Sequence, residues 1–279
     1  KIVSPKPGNT TSVGACLGGD SLRDEEKLGR EYSKEVESQC KLVDKKDLCE
    51  RVDRVGGALA KIANQIEIPA SYGSSTVYQF KYQFKVVEDK DVNAFALPGG
   101  VVYVNTGLLD LAKTDDELAG VLAHEIAHAA HHHIVRLLRE QSKVDRYLGL
   151  IALMGILGKA KGRDLNNLFL GAQMVRTGRI NCYSVQAEQD ADRTAVAYML
   201  KSSYNPEGLL AFMKKLDAKH DENPTLPLGI FQTHPAPFRR VAAICKALRD
   251  SGVKLDMRKM RDVAYAKPAP VKEGSEQYQ

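Results

Sequence analysis

Three observations predict an α+β domain, mostly helical with one small sheet. Apolar residues recur at three- and four-residue spacing over most of the chain, the period shortens to two between about 78 and 104, and a capping box opens the longest helical block. At 279 residues with 43% hydrophobic content, the chain can bury a sizeable core and sits at the upper end of what one domain reaches. The expected organisation is a flexible arm at 1–21, one domain at 22–265 and a disordered tail at 266–279.

The first twenty residues are rich in Gly, Ser, Thr and Pro, which favours an irregular arm. Helical patterns follow at about 24–43 and 46–65, the second carrying Leu48, Val52, Val55, Leu59 and Ile62 on one face. Then Tyr78, Phe80, Tyr82, Phe84 and Val86 alternate with Gln79, Lys81, Gln83 and Lys85, the two-residue period of a strand. A second strand pair is expected at 94–97 and 101–104, reversing through Pro98-Gly99-Gly100. A short helix follows Asn105-Thr106-Gly107. Thr114 and Glu117 then form a capping box for a helix running to about 140. The apolar stretch 147–157 is too short, at ~1.5 Å rise per residue, to cross a hydrocarbon core of ~30 Å. It reads as a buried helix or a flap over a groove, with peripheral membrane contact as the minor alternative. Further helices are expected at about 185–201, 206–219 and 237–249.

The formal charge of +5 comes from 40 basic and 35 acidic residues mixed along the chain, which gives no basic stripe for nucleic acid. The five cysteines, Cys16, Cys40, Cys49, Cys182 and Cys245, contain no C-x-x-C pair, so neither a redox motif nor a zinc ribbon is indicated. Cys40 and Cys49 are close enough in the chain to bridge a helical corner. The start at Lys1 fits removal of an upstream secretory signal. Val13-Gly14-Ala15-Cys16 has the order of a lipoprotein cleavage site, but no apolar run precedes it and it reads as ordinary flexible chain.

The chemistry centres on His124-Glu125-Ile126-Ala127-His128 within the capped helix. Two histidines four apart share a helical face, so both imidazoles can reach one zinc ion at about 2.0–2.1 Å. Glu125 stands beside them, placed to take a proton from water activated by that ion. A third ligand is needed. In the arrangement that draws a third histidine from the same segment, Gly follows the second His by three and the ligand by six; here those positions hold His131 and Ile134. On an unbroken helix His131 lies about 10 Å beyond His124, too far to join the same shell, so the run His131-His132-His133 is expected behind the ligands or at the surface. The better candidate is Glu188, with Asp192 one turn on and placed to fix the tautomer of a ligand histidine. Thr233-His234-Pro235 adds a further histidine.

HExxH, a distant ExxxD helix, His-Pro and a downstream arginine together resemble the Ste24/HtpX/Oma-type zinc metallopeptidases, in particular their soluble bacterial periplasmic branch. The segments Asn93-Ala94-Phe95-Ala96-Leu97-Pro98-Gly99-Gly100 and Asn105-Thr106-Gly107-Leu108-Leu109 are similar to signature segments of that family, and the likeness extends from about Glu25 to Leu248. The resemblance implies a gluzincin-like domain with its sheet beside the active-site helix. It implies one Zn2+ per chain on His124, His128 and Glu188, with Glu125 as general base. By the same resemblance His234 lies near the zinc, stabilising the oxyanion or capping the metal at rest, and Arg240 is the arginine after His-Pro. Val185 departs from the pattern, since the family often has Arg there. The implied activity is hydrolysis of internal peptide bonds in protein or peptide substrates, misfolded envelope proteins among them, in a periplasmic or envelope-associated setting. The strand at Asn93, Ala94 and Phe95 is the expected platform for an extended substrate. The rival readings are a self-inhibited, chaperone-like factor that binds unfolded outer-membrane proteins, and a helical scaffold with no catalytic metal.

Overall fold

The computed structural model describes residues 22–140, 185–222, 234 and 237–255. The arm, the apolar stretch 147–157, the tail, Cys16 and Cys182 lie outside the described residues. Helix α1 (Leu22–Gln39) and helix α2 (Lys46–Ala63) precede three strands, β1 (Gln83–Val87), β2 (Ala94–Leu97) and β3 (Val101–Asn105). Then come α3 (Thr106–Leu111), α4 (Asp115–Ala130), α5 (His133–Glu140), α6 (Val185–Lys201), α7 (Gly208–Glu222) and α8 (Pro237–Asp250). The mostly helical α+β reading stands. Among the described residues no helix is long and apolar enough to cross a membrane.

The sheet order is β1-β3-β2, with β1 parallel and β2 antiparallel to β3. The reversal from β2 to β3 uses Gly99 and Gly100 at φ of 77° and 87°, a region where a Cβ is strained. Because side chains alternate across a strand, the sheet has two faces. Val86, Ala94, Ala96, Val102 and Val104 join the main core with α2, α4, α6 and α7. Val87, Phe95, Leu97, Val101 and Tyr103 join Leu28, Tyr32 and Val36 of α1 in a second cluster. Phe95 stacks on its cross-strand partner Tyr103, with centroids 5.0 Å apart.

Several element boundaries differ from those expected. Helix α1 stops at Gln39 instead of running to 43, because residues 41–43 bond to the sheet: Val43 N–H donates to the Val86 carbonyl, Glu88 N–H to that of Lys41, and Leu42 bridges Val87. The first strand begins at Gln83, although burial alternates from Phe80 to Phe84 as the sequence predicts. At Phe80 the Asn64 side chain replaces a strand neighbour, donating to the Phe80 carbonyl at 2.9 Å and accepting from its N–H at 3.2 Å. The Cys40–Cys49 bridge is not formed; the Cys49 thiol donates to the Val43 carbonyl at 3.2 Å.

Helix α4 starts as expected, with the Thr114 hydroxyl accepting from Glu117 N–H and Glu117 accepting from Thr114 N–H. It does not reach 140. The helix ends at Ala130, His132 takes a φ of 58°, and a new helix starts at His133. The carbonyl freed at His131 accepts from Ser74 N–H at 3.0 Å.

Candidate metal centre

Helix α4 is buried from Glu117 to Ala129, so its histidines and glutamate point into protein rather than solvent. Helix α6 packs directly against it. Both carry fully buried alanines four apart, Ala119, Ala123 and Ala127 on α4 and Ala187, Ala191 and Ala195 on α6. Small side chains at a helix contact let the axes approach closely. Helix α4 also meets α7 tightly, since a Cβ on Gly120 would lie 2.2 Å from Leu209 N.

This packing brings together His124 and His128 from α4, Glu188 from α6, and His234. His128 Nε2 lies 3.0 Å from His124 Nε2 and 3.4 Å from Glu188 Oε1. His124 Nε2 lies 3.5 Å from Glu188 Oε2. His234 Nδ1 lies 2.9 Å from Glu188 Oε1 and 3.3 Å from His124 Nε2. Donors set tetrahedrally about zinc at ~2.0–2.1 Å are spaced about 3.3 Å apart, and these five separations bracket that value. Both carboxylate oxygens of Glu125 are buried without a hydrogen-bond partner among the described residues; His234 Nε2 is 3.5 Å from Oε1. A buried carboxylate in that state fits a site that receives a further polar group, as a hydrolytic water. The residues present therefore fit a divalent ion.

Around the donors, Asp192 Oδ1 lies 2.9 Å from His124 Nδ1, which directs the Nε2 lone pair into the cluster. Arg240, from α8, donates to Asp192 at 2.9 and 2.8 Å and lies 2.9 Å from Glu188 Oε2. Burial disfavours ionisation of Glu188, but His234 and Arg240 overcome it and hold its pKa well below the usual carboxylate range. Asp192 is likewise held low, mainly by Arg240 against its burial. Burial raises the pKa of Glu125 and lowers that of His128 well below the histidine norm.

The segment Asn93, Ala94 and Phe95 enters the edge strand β2, which packs on α4, but all three residues are buried. Ala94 faces the α4 side of the sheet, while Phe95 faces α1. Val185 is 42% exposed and makes no part of the cluster.

Sequence reasoning missed Asp190, the partner of the histidine run. Of the two placements expected for that run, behind the ligands or at the surface, the first holds for His131 and His133, which are buried and both meet Asp190. The premise of an unbroken helix fails, yet His131 still lies outside the four-donor cluster because the helix break turns it toward Asp190. Three consecutive histidines, separated from HExxH by Ala129 and Ala130, were the available signal, since a run of costly imidazoles inside a helical pattern calls for partners.

Two buried histidines of an HExxH helix, joined by a glutamate from a second helix, make the donor set of a metallopeptidase. A model of peptidase family M48 matches residues 53–248, and the chain belongs to that family, whose members are metal-dependent peptidases. The beta-barrel assembly-enhancing protease of Yersinia pestis is 28% identical over 245 residues, 85% of this chain and 46% of that protein. The metalloprotease LoiP of Escherichia coli is 27% identical over 74% of this chain and 79% of its own length. The mitochondrial metalloendopeptidase OMA1 of Schizosaccharomyces pombe is 29% identical over 64% of this chain and 50% of its own length. The chain spans about half the length of the beta-barrel assembly-enhancing proteases it matches.

Proposed function

We propose that this metallopeptidase is a zinc-dependent endopeptidase of the bacterial cell envelope, acting on protein substrates that include misfolded outer-membrane proteins. The observation that carries the proposal is the convergence of His124, His128 and Glu188 on one point beside the Glu125 carboxylate, which has no hydrogen-bond partner among the described residues. The envelope role draws on relatives that include beta-barrel assembly-enhancing proteases.

When bound, a zinc ion supplies Lewis acidity, polarising the scissile carbonyl and acidifying water. His124, His128 and Glu188 hold it, and Asp192 and Arg240 orient His124 and Glu188. Glu125 accepts a proton from the attacking water at its carboxylate and delivers it to the leaving amine nitrogen.

The test is metal analysis with casein cleavage. The expected result is about one zinc per chain, cleavage by wild type, and loss of cleavage in Glu125→Gln with zinc retained. Zinc without cleavage in either form sinks the endopeptidase reading and favours a binding factor; absence of zinc sinks the site itself.

One observation favours a self-inhibited resting state as a second reading: His234 Nδ1 stands within the ligand set, 2.9 Å from Glu188 and 3.3 Å from His124. Capping predicts that His234→Ala raises activity, whereas oxyanion stabilisation predicts a fall. An unchanged rate removes His234 from both roles.

A further inference from the structure

His133 is fully buried, lies outside the four-donor cluster, and takes no part in the hydrolysis proposed above. It opens α5 immediately after the left-handed turn at His132, and that break swings its ring back toward the preceding helix. His133 Nδ1 lies 2.9 Å from His128 Nδ1, with the rings edge to face at 4.9 Å between centroids. On its other side, His133 Nε2 lies 3.0 Å from the Tyr72 carbonyl oxygen and 3.2 Å from Asp190 Oδ2.

A carbonyl and an ionised carboxylate only accept hydrogen bonds, so the ring proton of His133 sits on Nε2. Its Nδ1 then offers a lone pair, and the hydrogen between the two Nδ1 atoms belongs to His128. The remaining nitrogen of His128, the Nε2 that faces His124 and Glu188, is left with its lone pair directed into the cluster. We infer that His133 is a positioning residue that locks His128 in the Nδ1–H tautomer able to ligate through Nε2, with Asp190 and the Tyr72 carbonyl locking His133 in turn. This rests on the metal-site reading above.

Asp190 is itself fixed from several segments. Its Oδ1 accepts from Ser71 N–H at 2.6 Å, from the Ser71 hydroxyl at 2.7 Å and from Arg193 at 2.7 Å, and its Oδ2 meets His131 Nδ1. His131, His133 and Asp190 are close enough to hold an ion of their own. Their inward atoms are already committed to one another, to Ser71 and to the Tyr72 carbonyl, which favours a hydrogen-bonded support over a second metal.

The experiment compares His133→Leu, which removes the acceptor, with His133→Asn, whose side-chain oxygen can stand near the Nδ1 position. Zinc affinity is read by competition with a chromogenic chelator, and the tautomer of His128 by 15N-histidine NMR on the metal-free protein. Loss of a buried partner behind a ligand histidine lowers metal affinity about 10–100-fold. That loss is expected in His133→Leu, with most of the affinity kept in His133→Asn. Unchanged affinity in His133→Leu, or equal losses in both variants, overturns the proposal. If neither variant folds, wild type decides: an Nδ1–H tautomer at metal-free His128 supports the lock and an Nε2–H tautomer overturns it. Failure of wild type to bind zinc is a separate outcome, which refutes the metal site on which the lock depends.

Discussion

Arg240→Met isolates the electrostatic support of the centre. Arg240 is 5% exposed, and among the described residues it is the cation that touches both Glu188 and Asp192, each 1% exposed. Methionine matches much of the side-chain volume, so the change removes charge and hydrogen bonds with little cavity. Breaking a buried pair from one side leaves an uncompensated charge and costs about 3–5 kcal/mol. For a chain of this size each kcal/mol moves the midpoint by about 2–4 °C, so chelator-treated Arg240→Met is expected to melt roughly 6–20 °C below wild type. In zinc-loaded protein the loss is expected to be smaller, because the ion still faces Glu188. Thermal unfolding by circular dichroism, with and without chelator, measures both differences. A chelated drop under about 1 kcal/mol, or equal drops in the two forms, refutes the argument. Adding Asp192→Leu to Arg240→Met is expected to recover part of the stability, since an apolar replacement of both partners avoids the lone buried charge.

Other positions give independent tests. Gly120→Ala drives a Cβ into the backbone of Leu209 and is expected to cost about 1–3 kcal/mol, read as a lower denaturant midpoint; an unchanged midpoint contradicts the close α4–α7 approach. Thr114→Ala removes the acceptor for Glu117 N–H and is expected to cost about 1 kcal/mol in the same measurement. Burial disfavours ionisation of Glu117, but Lys215 and the backbone N–H groups of Thr114 and Lys113 outweigh it and lower its pKa below 4.5. Its contribution is therefore fully present above about pH 4.5 and lost as pH falls through the folded value. Glu117→Gln is expected to be less stable at neutral pH and to show a shallower acid limb; parallel acid limbs would count against it.

The elements legible in the sequence were those whose local chemistry agrees with their packing. The capping box at Thr114, the Gly99-Gly100 reversal and helix α6 follow from side chains acting on their own backbone. The errors lie where distant groups decide. Helix α1 ends early because Lys41 and Val43 find partners on β1, a competition that no helical period records. The break after Ala130 is invisible to propensity, since Asp190 arrives from another helix to engage His131 and His133. The role of the alanines was likewise hidden. Four-residue alanine spacing reads as neutral helix, and nothing in it records that α4 and α6 pack together and bring Glu188 to the histidine pair.

Charge balance leads to a prediction about pH. Among the described residues, Glu125, Glu188 and Asp192 are buried around one guanidinium, that of Arg240. With the histidines neutral, the ionised set lacks two positive charges, which is what one divalent ion supplies. Without it, protons make up part of the deficit, because uncompensated buried carboxylates are costly. Burial and Arg240 oppose protonation of His124, but Asp192 and Glu188 outweigh them and raise its pKa to about 9. Metal and proton therefore compete for His124 Nε2, the nitrogen left when Nδ1 is committed to Asp192. Below about pH 9, each unit of rising pH removes the competing proton, so zinc affinity should climb roughly tenfold per unit between about pH 6.5 and 8.5. Calorimetry in buffers of different ionisation enthalpy should record release of about one proton per zinc at pH 7. Affinity that stays flat across that window, with no proton released, would mean that His124 is neutral before the metal arrives and that the carboxylates are balanced in some other way.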